Sequence, residues 1–228
     1  MNRAAALLVV WQLAACGSGL ALQPVEPKQA QEIAERCASI YPVLPWRATH
    51  VVEVTLATGQ AGSFLGVVAA DAPHKFRVIL VSPEGFVVFD ATYDQGNITA
   101  SRALPPLDSE QFARGMAGDI RLMLFAPTWP LVEAGHTEVG AESCRFERAD
   151  GQTMQVVLES PERAHLLLYA ANGALDRDGV LRGPRKAGFF QEMLLVAQGP
   201  AGYSLAMRLM DSEVEDKSRA LSQTSPGP

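Results

Sequence analysis

Residues 75–103 read KFRVILV-SPEG-FVVFDATY-DQG-NITASRA, and this stretch decides the fold class. Lys75–Val81, Phe86–Tyr93 and Asn97–Ala103 are short runs rich in β-branched and aromatic residues. Ser82-Pro83-Glu84-Gly85 and Asp94-Gln95-Gly96 between them carry turn chemistry. Connections this short join antiparallel neighbours, because a parallel pair needs a crossover of a dozen or more residues. Upstream, Thr49–Ala57 and Ser63–Ala70 continue the pattern, broken by Thr58-Gly59 and Asp71-Ala72-Pro73. The five runs therefore predict an antiparallel meander. Phe86-Val87-Val88-Phe89 is apolar at consecutive positions, so both faces of that sheet are partly buried or line something apolar.

Helices are expected on either side of the meander. From Asp108 to Leu124, Phe112, Met116, Ile120, Met123 and Leu124 form one apolar stripe, with Arg114, Asp119 and Arg121 read as lying elsewhere. Asp108 and Gln111 have capping-box spacing after Pro105-Pro106, and Pro127 and Pro130 close the segment. Earlier, Ala30, Ile33, Ala34, Cys37, Ile40 and Tyr41 recur at helical spacing over Lys28–Tyr41, ended by Pro42 and Pro45. Strand-like runs resume at Leu131–Val139, Glu142–Glu147, Gln152–Glu159, Ala164–Ala170, Phe189–Gln198 and Tyr203–Met210. The chain thus reads as mainly β, in the α+β class.

The N-terminus reads as an address rather than as structure. Arg3 precedes an apolar run from Ala4 to Trp11, too short to span a membrane, so residues 1–15 are expected to be a lipoprotein signal peptide. Leu13-Ala14-Ala15-Cys16 resembles the lipobox of bacterial lipoproteins. That resemblance implies acylation of Cys16 with palmitate-like chains and a partner in membrane lipid, since several acyl chains anchor stably where one does not. Gly17 after Cys16 resembles the outer-membrane sorting pattern, which implies an outer-membrane, lipid-anchored protein whose domain faces the periplasm. Residues 16–27 read as a tether, 28–210 as one folded domain, and 211–228 as a polar, frayed tail. In an oxidising compartment Cys37 and Cys144 make a candidate disulfide; two buried thiols that never meet are the other reading.

Composition narrows function. The 228 residues are 48% apolar and 19% charged, with a formal charge of −6, which excludes a disordered chain and argues against nucleic acid as a partner. His50, His74, His136 and His165 are far apart and read as solvated turn positions, so no metal and no cofactor are expected. Gly62-Ser63-Phe64-Leu65-Gly66 lacks nucleophile-elbow spacing. Asp176-Arg177-Asp178-Gly179 lacks the further acids of a calcium loop and reads as a hairpin turn. Arg182, Arg185 and Lys186 read as a solvated basic cluster able to meet anionic head groups. No catalytic constellation emerges, and no enzyme is expected.

Phe76–Gly85, with its Ser-Pro-x-Gly turn, Phe89–Asp94, with its aromatic-Asp pair, and Asp119–Leu124 followed by Trp129-Pro130 resemble the periplasmic lipoprotein carriers LolA and LolB. The match is closer to a LolB-like family of outer-membrane lipoproteins found beside fatty-acid or aryl-polyene synthesis genes. The resemblance implies an open, strongly curved antiparallel half-barrel with helices plugging its concave face. It implies transport or localisation of a lipidic or acylated ligand held in an apolar cavity. Phe76, Val78, Leu80, Phe86, Val88, Phe112, Met116, Ile120 and Met123 are its candidate lining, or else ordinary core. The loops Asp71–His74 and Ser82–Gly85 carry no Leu or Trp at the tip, unlike the membrane-entering loop of LolB. A lipoprotein that instead binds a periplasmic protein partner by its sheet edge is the alternative.

Overall fold

The computed structural model describes residues 19–199 and 202–214; the expected signal peptide at 1–15, Cys16 and residues 215–228 lie outside them. In chain order the elements are β1 (Gln23–Pro24), α1 (Pro27–Ser39), β2 (Trp46–Leu56), β3 (Ala61–Ala72), β4 (Lys75–Val81), β5 (Val87–Asp94), β6 (Asn97–Ala103) and α2 (Glu110–Leu124). They continue with β7 (Leu131–His136), β8 (Glu142–Glu147), β9 (Thr153–Ser160), β10 (Arg163–Tyr169), β11 (Leu175–Lys186), β12 (Phe189–Ala197) and β13 (Tyr203–Val214). All thirteen strands form one antiparallel sheet in the order β1-β7-β8-β9-β10-β11-β12-β13-β2-β3-β4-β5-β6. Two meanders are joined where β13 pairs with β2. The sheet does not close, and β6 and β1 are its free edges.

Local chemistry accounts for the hairpins. Gln95 and Gly96 both have positive φ, the requirement of a two-residue primed turn between the paired Asp94 and Asn97. Gly85 has φ +90° and donates its N–H to the Ser82 carbonyl at 2.9 Å, closing the Ser82–Gly85 turn.

Both helices cover one face, the concave one. Across seven strands Leu205, Leu195, Gly179, Leu166, Val156, Cys144 and Ala134 are register partners in one inward row. Cys144 in that row forms a disulfide with Cys37 of α1, and Arg36 grips Glu142 with two hydrogen bonds of 2.6 and 2.7 Å. α1 is therefore pinned over β7–β9. Over the other half, Phe125 at the end of α2 packs against Phe76 and Trp46, each with ring centroids 5.3 Å apart. Trp46 in turn meets Phe189 edge-on at 5.1 Å. Helix and both meanders thus share one aromatic core.

Several expectations are corrected. Asp176–Gly179 is not a turn but the start of β11. Gly179 lies flat in the ladder, where an added Cβ would come 3.3 Å from that of Leu166 and 3.5 Å from Leu195, so its role is close packing. Of the basic cluster, Arg185 and Lys186 are exposed as expected and Arg182 is half-buried within β11; Arg185 also donates to the Ser39 carbonyl at 2.9 Å, tying β11 to the end of α1. His50, His136 and His165 are in strands, and only His74 is in a turn. α2 is capped by Ser109, whose Oγ accepts from the Phe112 N–H at 3.1 Å, rather than by Asp108. Asp211–Val214 belong to β13, paired with β2, instead of a tail. Residues 19–24 are not a free tether either; they dock on the sheet.

His50 is 1% exposed on the inward face of β2, and neither ring nitrogen has a hydrogen-bond partner among the described residues. Burial lowers its pKa from 6.5 to about 4. Between those values the unfolded chain binds the proton and the folded one does not, so stability rises with pH across this window. The contribution is complete above about pH 6.5, and about 3 kcal/mol of it is lost by pH 4. His50→Met is expected to flatten that part of the urea-unfolding pH profile; an unchanged slope would refute it.

Candidate functional site

The site is built around α2, the helix that fills the concave face of the β2–β6 half. Its sequence EQFARGMAGDIRLML buries Ala113, Ala117, Ile120, Leu122, Met123 and Leu124 and leaves Glu110 and Arg114 in solvent. Ala113 and Ala117 let the helix approach the sheet closely. Gly118 is on the exposed side and Gly115 near it, and a Cβ on either would meet nothing within 4 Å. Each glycine weakens the helix by roughly 0.5–1 kcal/mol relative to alanine. α2 is thus intrinsically weak and, unlike α1, carries no covalent tie. Gly115→Ala and Gly118→Ala are each expected to stabilise the fold by that increment, read as a higher urea midpoint at unchanged slope.

One polar contact crosses from α2 to the far half of the sheet. Asp119, 4% exposed, accepts from Arg177 Nε of β11 at 2.9 Å and from the Tyr203 hydroxyl of β13. Arg177 also donates to Asp176 at 2.8 Å and lies over the Tyr203 ring, 5.7 Å from its centroid. Burial raises the Asp119 carboxyl above the usual range, against the opposing pull of Tyr203 and Arg177. The Tyr203 phenol is pushed well above its usual range by burial and by the neighbouring carboxylate, so it stays protonated and donates. None of these three residues was singled out from sequence as functional. The signal was present, since Asp119 follows Phe112 by seven residues, two helical turns, which puts it on the apolar stripe.

The nine candidate lining residues divide. Phe76, Val78 and Leu80 of β4 and Ile120 and Met123 of α2 are buried, and Val88, Phe112 and Met116 are half-buried and packed against that core. Phe86 is 66% exposed, because it precedes the first β5 residue paired with β4, Val87, and projects from the turn. The residues other than Phe86 form packed core, with α2 seated on it, rather than the walls of an open chamber. Open space lies at the two ends of α2. A cleft of about 500 Å³ sits between its N-terminal end and β5–β6, lined by Phe89, Ala103, Leu107 and Ala113 among others. A second, of about 230 Å³, sits at its C-terminal end against β9–β11, lined by Arg121, Leu122, Trp129, Arg148, Met154 and Leu168 among others. Each cleft is lined in part by buried apolar residues of α2, Ala113 in the first and Leu122 in the second.

Among the described residues no cluster of three or more His, Cys, Asp or Glu could hold a metal ion, and no helix is long and apolar enough to cross a membrane.

A family model described as a protein of unknown function, DUF3261, matches residues 47–170, just over half of the chain. No curated protein matches the sequence. Two solved structures share the fold: a LolA superfamily protein from Nitrosomonas europaea and a domain described as outer-membrane lipoprotein-sorting from Vibrio parahaemolyticus. The first is 12% identical, with a TM-score of 0.54, covering 84% of this chain and 96% of that one. The second is also 12% identical, with a TM-score of 0.51, covering 84% and 94%. The fold is therefore of the LolA type.

Proposed function

The chain belongs to the DUF3261 family, and we propose that its LolA-type sheet binds a lipidic or acylated ligand on the concave face beneath α2, as part of an outer-membrane lipoprotein anchored through Cys16. The observation that supports this most directly is the contrast between the two helices. α1 is bound to the sheet by the Cys37–Cys144 disulfide. α2 is not cross-linked; it carries two glycines whose missing Cβ would meet open space, the Asp119 cluster, a hydrogen bond from Arg121 to the Tyr93 hydroxyl at 3.2 Å, and a cleft at each end. A helix so held can be displaced by a ligand that supplies equivalent apolar contacts. Burial at about 25 cal/mol per Å² makes an acyl chain a suitable replacement. The lipidic ligand then moves between membranes in a periplasmic carrier step, in keeping with the lipoprotein-sorting description of the Vibrio domain.

The test uses the chain from Gly17 onward, purified from cells without detergent. Native mass spectrometry should find bound lipid, and added fatty acid should raise the melting temperature by several degrees. An empty protein whose melting temperature no acyl ligand moves would reject carriage. That result would favour the reading in which the free edge of β6 pairs with a protein partner.

A further inference from the structure

Residues 19–24 do not swing free of the domain. The Leu20 N–H donates to Gln155 Oε1 at 2.7 Å, and the Leu20 carbonyl accepts from Gln155 Nε2 at 3.1 Å and from Arg145 at 2.6 Å. Gln155 is fully buried on the convex face of β9 and is held from its other side by donating to Ser143 at 3.0 Å. Gly19 has φ +110°, and a Cβ there would strike Gln155 Oε1 at 2.6 Å, so only glycine fits. Beyond Leu20, Gln23 and Pro24 pair with Gly135 and His136 of β7. The backbone is clamped on both sides of Leu22.

Three peptide units separate Cys16 from Gly19, and they span at most about 11 Å. An anchor on Cys16 therefore brings one particular part of the domain to the bilayer. Which part follows from register. On β9 the clamp residue Gln155 is adjacent to Met154, and on β10 Tyr169, which Gly19 approaches, is adjacent to Leu168. Met154 and Leu168 face the other way and line the cleft at the C-terminal end of α2. Clamp and cleft are thus the two faces of the same rim of the sheet. That rim presents Trp129 with the Arg148 guanidinium 5.4 Å from its ring centroid, and Arg114 and Arg121 beside them; Arg148 is paired with Asp150 and Arg114 with Glu110 in exposed ion pairs that phospholipid phosphates can exchange into. Tryptophan and arginine together suit the interfacial layer of a bilayer with anionic phospholipid.

We infer that the clamped N-terminus orients the domain on the membrane, so that the rim bearing Trp129 and Arg148 rests on anionic phospholipid and the cleft at the C-terminal end of α2 opens toward the bilayer. This rests on the reading that Cys16 is acylated. It turns an anchor into an orienting device and makes that cleft the route between membrane and concave face.

The experiment uses the full lipidated protein in phosphatidylethanolamine–phosphatidylglycerol vesicles carrying a head-group nitroxide. After residue 15 the chain has two tryptophans, Trp46, which is 3% exposed in the core, and Trp129. The nitroxide should quench the Trp129 component strongly, and the quenchable part should vanish in Trp129→Phe. A flexible Gly/Ser insertion of about twelve residues between Ser18 and Gly19 adds roughly 20 Å of reach and should remove most of the quenching, while the protein still floats with the vesicles. Equal quenching with and without the insertion, or none in the parent, overturns the orientation. Intact mass and flotation are read on the same samples. A chain lacking the acyl mass that stays off vesicles overturns the anchor reading and the orientation with it, and is distinguished from a chain that floats without quenching.

Discussion

Replacing Cys37 and Cys144 together by alanine is expected to lower the stability of the domain by about 4–5 kcal/mol, the largest effect of any substitution considered. The two cysteines are 107 residues apart in sequence, so the bridge restricts an unfolded loop that contains the whole β2–β6 meander, α2 and β7. For a domain of this size the loss corresponds to a fall in melting temperature of roughly 10–20 °C. The effect should reach beyond α1. β7 and β8 stand next to the free edge of the sheet at β1, and α1 covers them from the concave side, so hydrogen exchange in β7–β9 should accelerate most. A double variant within 1 kcal/mol of the parent in urea unfolding would show that packing and the Arg36–Glu142 pair hold α1 without the bridge.

That division between a fixed and a displaceable helix was only half legible in the sequence. The meander from Lys75 to Ala103 could be read strand by strand, because its turns carry Gly85 and Gln95-Gly96 where positive φ is needed. The strand β11 could not. Its inward positions include a charged Arg177 and Gly179; Asp176, Asp178 and Gly179 are of the types that usually mark a turn, and its bulge at Gly183 breaks the alternation. What makes it a strand is tertiary. Arg177 finds Asp119 on α2, and Gly179 lets Leu166 and Leu195 close over the backbone. The N-terminal clamp was hidden for a related reason, since it is formed by main-chain atoms of Leu20 with a Gln and an Arg more than a hundred residues away. Side-chain periodicity carries no trace of a backbone group that docks on a distant glutamine. His50 was read as a solvated turn position because a lone imidazole carries no signal of which way it faces, while the register of β2 with Gly66 and Leu209 turns it inward.

Asp119→Leu is expected to cost about 3–5 kcal/mol, because it leaves the Arg177 guanidinium largely buried and short of its strongest partner, and the Tyr203 hydroxyl without its acceptor. Tyr203→Phe removes one donor to a charged acceptor and should cost about 1.5–3 kcal/mol. The pKa direction of Asp119 says more than the count of its bonds. Its carboxyl is raised although an arginine and a phenol both favour the charge, so burying the carboxylate costs more than these partners return. Such a contact specifies where α2 sits without being the best way to hold it there. Asp119→Leu, Arg177→Met and Tyr203→Phe combined should therefore recover most of the loss of the single variant, as apolar replacements of buried ion pairs do. The triple variant should melt near the parent yet load fatty acid more slowly, because the helix then leaves the sheet only by exposing a continuous apolar face. Stopped-flow binding of a fluorescent fatty acid to the three proteins measures this. If the triple variant remains as unstable as Asp119→Leu alone, the cluster is a net stabilising contact and α2 is held more firmly than its glycines imply.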